Sequence, residues 1–201
     1  VNSEIRKKIK KIKKTKKKFD IKKQGEIISK LDFSLTNDQT KTLNEINKDL
    51  CSDNKMFRLL QGDVGSGKTI VALLSAFNTI SSDFQVAVMA PTEILARQHF
   101  LLAKKIFPKS IKIELLSGKS SYKNKKVILD KIIKKQIDII FGTHALFQKK
   151  VEFRNLGLII IDEQHKFGVN QRKNLSEKGG NNCDVLVMSA TPIPRTMMMT
   201  V

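Results

Sequence analysis

From residue 31 onward the chain alternates between two apolar rhythms. Short, mainly apolar runs cover residues 56–60, 85–90, 111–116, 137–141, 158–161 and 185–188, and their length and flanks predict strands. Between them, apolar positions recur every three or four residues over 67–80, 93–107 and 123–135, which predicts helices. Pro108 stops the second of these. Strand and helix alternate with short connections. The pattern therefore predicts an α/β fold, doubly wound, with a mainly parallel sheet flanked by helices.

Residues 1–30 follow another pattern. Ile5, Ile9, Ile12 and Phe19 are spaced as one helical stripe in a segment that is otherwise nearly all lysine. A basic amphipathic helix is expected there, ahead of a single lobe over residues 31–201. Such a helix can be a solvated linker with a thin docking stripe, or it can contact nucleic acid. A place on an anionic membrane has less support in a chain without Trp.

Composition extends this local feature to the choice of partner. The 201 residues hold 38 Lys+Arg against 19 Asp+Glu, a formal net charge of +19. Thirteen of those bases, with only three acids, lie in residues 1–30. Such an excess predicts attraction to a polyanion. The 40% hydrophobic content is enough for a packed core. Cys51 and Cys183 are too few for a disulfide framework and lack metal-ligand spacing, which fits a reducing, cytoplasmic setting. No apolar run approaches the ~18 residues of a spanning helix, and no secretory signal is visible, so no membrane partner is expected. The chain begins at Val1 rather than Met and is read as a piece of a longer protein.

Two motifs carry chemistry. Gly62-Asp63-Val64-Gly65-Ser66-Gly67-Lys68-Thr69 matches G-x-x-x-x-G-K-[ST] between an expected strand and an expected helix. Glycines there let backbone N–H groups surround a phosphate, and the helix N-terminus adds partial positive charge. Lys68 would sit between β- and γ-phosphates, and the Thr69 hydroxyl would ligate Mg2+. The second anchor is Leu158-Ile159-Ile160-Ile161-Asp162-Glu163, an apolar strand that delivers two carboxylates to its carboxyl end. Asp162 suits the Mg2+ water shell and Glu163 suits the attacking water. A G protein is excluded, because Asn47-Lys48-Asp49-Leu50 fails the N-K-x-D base-reading pattern at its last place.

With these motifs in place, others become recognisable. Asp162-Glu163-Gln164-His165 resembles helicase motif II of superfamily 2, and Ser189-Ala190-Thr191 resembles motif III. The segment Phe33-Ser34-Leu35-Thr36-Asn37-Asp38-Gln39 resembles an adenine-reading Q motif. Ala90-Pro91-Thr92-Glu93-Ile94-Leu95-Ala96-Arg97-Gln98-His99 and Gly142-Thr143-His144-Ala145-Leu146 resemble motifs Ia and Ib. The longer strings, including Thr191-Pro192-Ile193-Pro194-Arg195-Thr196, together resemble the RecG-type ATP-dependent DNA helicase family. The transcription-repair coupling translocases share the last string but typically carry Phe at the place of Ser66 and Glu at that of Gln164.

The resemblance implies a RecA-like P-loop NTPase lobe that uses ATP and Mg2+ to drive remodelling of branched DNA, both forks and Holliday junctions. It assigns adenine reading to Gln39, and MgATP binding to residues 62–69 with Asp162. Catalysis falls to Glu163, Asp162 and Lys68. Gln164, His165, Ser189 and Thr191 are expected to couple the nucleotide to DNA, and Thr92, Arg97, Thr143 and His144 to touch DNA phosphates. It further implies a second RecA-like lobe with arginines of motif VI and a wedge domain, both outside these 201 residues. The chain alone is therefore expected to bind ATP weakly and hydrolyse it barely. A non-catalytic DNA-binding remnant and another superfamily 2 translocase, such as the coupling type, are the alternatives.

Overall fold

The computed structural model describes residues 12–118, 122–148, 150–162 and 180–190. Strands β1 (Phe57–Gln61), β2 (Gln85–Met89), β3 (Ile113–Leu116), β4 (Ile139–Gly142), β5 (Leu156–Asp162) and β6 (Asp184–Ser189) form one sheet, ordered β1-β6-β5-β2-β4-β3. Every pairing is parallel. The helices described are α1 (Ile21–Ile28), α2 (Asn37–Leu50), α3 (Lys68–Ser81), α4 (Glu93–Ile106) and α5 (Tyr122–Ile133), with a 3-10 turn at His144–Phe147. This is the α/β architecture expected from the alternating pattern. Among the described residues no helix is long and apolar enough to cross a membrane.

The apolar runs of the central strands follow from burial on two faces. Val86, Val88, Leu158, Ile160, Leu186 and Met188 enter one core layer with residues of α2 and α3. Their neighbours Ala87, Met89, Ile159, Ile161, Val185 and Val187 enter the other, with Ile132 and Leu146. Successive side chains of a strand point to opposite faces, so a strand covered on both has no polar alternation to show. The edge strands β1 and β3 are only half-buried through most of their length. On β1, Arg58 pairs with Glu45 and Asp49 of α2.

Helix α2 has no counterpart among the elements expected from periodicity. Its sequence is mostly polar, and only Leu43, Ile46, Asn47 and Leu50 are buried. Its start is nevertheless well specified. Thr36 is the N-cap, its hydroxyl accepts from Gln39 N, and the Gln39 side chain accepts from Thr36 N, a complete capping box.

The segment ahead of the lobe differs from the expected stripe. Ile5 and Ile9 lie outside the described residues. Ile12 and Phe19 lie in chain that is not helical, and α1 begins only after Asp20, whose side chain caps Lys22 N. Backbone bonds explain this. Lys14 N donates to Asp53 O, Lys17 N to Leu50 O, and Lys55 N to Ile12 O, so the segment is laid against the chain after α2 instead of coiling on itself. Lys14 and Lys17 then reach the Asp184 carboxylate, each at 2.6 Å, with all three side chains fully buried.

Candidate functional site

Because every strand runs the same way, the loops after β1, β2, β4, β5 and β6 all emerge at one edge of the sheet. The register keeps their ends level: Gln61 faces Ser189, Asp162 faces Met188, and Met89 faces both Ile161 and Gly142. Along that edge, in sheet order, stand the loop of residues 62–69, Ser189, Asp162, Thr92 and Thr143. Positions scattered over the sequence are thereby brought into one row.

The loop of residues 62–69 turns through two glycines in the left-handed region, Gly65 at φ 81° and Gly67 at φ 78°. Both conformations are strained for any residue with a Cβ. Gly67 is also the N-cap of α3 and supplies no side chain to its first turn. The N–H groups at the start of α3 thus face the concave side of the loop without a side-chain acceptor, the arrangement that receives an anion. Lys68 folds into the same concavity. Its ammonium donates to Gly62 O at 2.5 Å, Asp63 O at 2.6 Å and Ser66 Oγ at 3.4 Å. The ammonium is thus held inside the loop by three neutral oxygens. Thr69 follows directly in the first turn of α3. The loop is anchored to β6, since Gly62 N donates to Ser189 O at 3.3 Å.

Gln39 is brought against this loop. While its Oε1 completes the capping box, its Nε2 donates to Ser66 O at 2.8 Å. A Cβ at Gly67 would collide with that amide. The expected adenine reader therefore also braces the loop. Val64, at the loop's outer turn, is 90% exposed.

Asp162 ends β5, and its Oδ2 lies 2.8 Å from His99 Nε2 on α4. Helix α4 buries Ala96, His99 and Ala103, a stripe at helical spacing. Thr92 caps α4 by accepting from Leu95 N, and both Thr92 and Arg97 are exposed. Thr143 is buried at the start of the 3-10 turn, whereas His144 is exposed. The expected residues Glu163, Gln164, His165 and Thr191 lie outside the described residues. Among the described residues no group of three or more His, Cys, Asp or Glu gathers to hold a metal ion. One carboxylate, one hydroxyl and nucleotide phosphates are the smaller donor set that Mg2+ usually takes in such sites.

Two arrangements were not anticipated from sequence. The contact of His99 with Asp162 left one trace, a polar residue on the buried stripe of an otherwise apolar helix face. The cluster of Lys14, Lys17 and Asp184 left less, because two lysines three apart do not stand out in a lysine-rich segment. Asp184 Oδ1 also accepts from Met56 N at 2.6 Å. Burial pushes the Lys14 ammonium below its ordinary range, against the opposing pull of Asp184.

The geometry can be set beside known proteins. The RecG helicase of Streptococcus pneumoniae serotype 4, named an ATP-dependent DNA helicase, is 55% identical over 170 residues, 85% of this chain and 25% of its own length. That of Aquifex aeolicus is 50% identical over 195 residues, 96% of this chain and 25% of its own. A solved RecG structure, bound to a three-way DNA junction, superposes with a TM-score of 0.84 at 44% identity, covering 98% of this chain and 26% of that one. The chain thus spans about a quarter of the length of the curated relatives it matches. The sequence model of DEAD/DEAH box helicases matches residues 36–200, from the cap of α2 through the phosphate loop to the last strand and beyond, and the chain belongs to that family.

Proposed function

We propose that this chain is the ATP-binding lobe of a RecG-type DNA motor, which uses ATP hydrolysis to remodel forks and junctions. The observation that carries the reading is the shared edge. The phosphate loop with Lys68 inside it, and the Asp162 carboxylate two strands away, face the same side of one parallel sheet. The identity to RecG proteins over nearly the whole chain supports the choice within the family.

In this reading the N–H groups of the loop and the α3 N-terminus receive the β-phosphate, and Lys68 exchanges its loop carbonyls for phosphate oxygens. Thr69 and Asp162 would hold Mg2+, which when bound would offset the negative charge of the nucleotide phosphates. Glu163 orients and deprotonates the attacking water. Gln39 selects adenine while keeping the loop in shape. Gln164, His165, Ser189 and Thr191 relay the nucleotide state, and Thr92, Arg97 and His144 lie along a DNA backbone, with Thr143 beneath them. Residues 1–30 act as a linker ahead of the lobe of residues 31–201, with residues 12–17 docked on it, and the whole works in the cytoplasm on the nucleoid.

Turnover in this proposal needs a second RecA-like lobe, because arginine fingers contribute roughly 10³–10⁵ in rate. ATP hydrolysis measured with and without a three-way junction tests this. The 201 residues alone should bind ATP without junction-stimulated turnover, and the same lobe joined to a second one should turn over. Junction-stimulated turnover by the 201 residues at a complete motor's rate would contradict the proposal.

A further inference from the structure

We infer that His99 is a positioning residue for the metal-binding carboxylate, tying Asp162 to the motif Ia helix; this rests on the reading of Asp162 given above. The imidazole Nε2 is 2.8 Å from Asp162 Oδ2, and the two side chains are only 10% and 13% exposed. An ionised carboxylate can only accept, so Nε2 carries the proton and donates. The hydrogen bond fixes which way the carboxylate faces and occupies one of its two oxygens. Rotation about χ2 of a carboxylate is soft, and among the described residues His99 is the side chain seen to hold Asp162 in one orientation.

Placement makes the contact more than core satisfaction. His99 lies on the buried stripe of α4 between Ala96 and Ala103, two residues small enough to bring the helix close to the sheet. Strand β5 brings Asp162 to the same level, because Met89, which ends β2 shortly before α4, pairs with Ile161. The helix that carries His99 starts at Thr92 and exposes Arg97, so one rigid element joins the expected phosphate-backbone contacts to the magnesium carboxylate. Partners that orient a metal ligand from behind typically govern metal affinity by 10–100-fold. Asp162 acts through a water shell, so the lower end applies.

The test is the Mg2+ dependence of nucleotide affinity, read by titrating a fluorescent ADP analogue in EDTA and in excess Mg2+. His99→Leu keeps volume and removes the donor. It should lower the Mg2+-dependent gain in affinity by about tenfold, and leave affinity in EDTA unchanged. His99→Gln can place an amide N–H at the reach of Nε2 and should restore most of that gain. If His99→Leu loses its cooperative melt, His99→Asn replaces it, since that amide stays polar but falls short of Asp162. A wild-type gain preserved in His99→Leu or His99→Asn overturns the inference alone. So does a folded His99→Gln that behaves like the leucine variant. Wild-type protein that binds no nucleotide in either condition overturns the site reading and, with it, this inference.

Discussion

At the scale of single residues, the phosphate loop is held by groups outside its own motif. Gln39 belongs at once to the cap of α2 and to the loop, through Thr36 N on one side and Ser66 O on the other. Thr36 sets that geometry, because its hydroxyl accepts from Gln39 N. Replacing Thr36 by Ala should therefore cost about 1 kcal/mol of stability, the usual worth of an N-cap, measured by chemical denaturation. It should also weaken nucleotide binding, since the freed glutamine no longer braces Ser66. A variant with lowered stability and unchanged nucleotide affinity would show that Gln39 holds its position without the cap. The motif residues themselves were legible because their chemistry demands fixed spacing: Gly65, Gly67, Lys68 and Thr69 cannot move relative to one another. The role of His99 was not legible, because its partner lies 63 residues away and is set by sheet register.

At the scale of elements, the strands were readable from burial and the polar helix was not. Strands β2, β4 and β6 are buried throughout, so their apolar runs mark them with ends correct to within about two residues. Helix α2 buries a thin stripe, and a polar sequence with few apolar contacts gives periodicity little to register. The basic stripe expected in residues 1–30 departs from the structure over residues 12–20. Its spacing fits a helix, yet over residues 12–20 the backbone prefers bonds to residues 50–55, and two lysine side chains prefer Asp184. That preference makes a prediction for this element. Asp184→Asn leaves two buried ammonium groups facing a neutral amide and should cost about 3–5 kcal/mol. Lys14→Met keeps the Lys17–Asp184 pair and removes the more awkward charge, so it should be neutral or stabilising. The sign of its pH dependence follows from burial, which holds the Lys14 pKa below its ordinary value of 10.5. Protonated Lys14 is a cost below the folded pKa, and that cost fades as pH rises through the folded pKa toward 10.5. Wild-type stability relative to Lys14→Met should therefore increase over that alkaline window. Thermal melts of the three proteins at neutral and alkaline pH check both signs, and a strongly destabilised Lys14→Met would contradict them.

At the scale of the whole molecule, the net charge of +19 has more than one use. Part of the basic excess in residues 1–30 is turned inward, onto Asp184, and serves docking. Lys13, Lys16, Lys18, Lys22, Lys23 and Lys30 are exposed, and if the proposed DNA backbone is their partner, affinity should fall steeply with salt. The sheet then divides the labour along its edge. In the proposed reading nucleotide chemistry falls on the side of β1, β6 and β5, and the expected DNA contacts on the side of β2 and β4, with Asp162 and His99 where the two meet. The central claim is that the loop after β1 is a working nucleotide site. Equilibrium titration of the chain with a fluorescent ATP analogue in Mg2+, beside Lys68→Ala with an unchanged melting profile, tests it most directly. The account predicts saturable binding by the wild type and a loss of at least about tenfold in Lys68→Ala, the scale of one charge-assisted contact. Equal affinity in the two folded proteins, or no binding by the wild type, would contradict it.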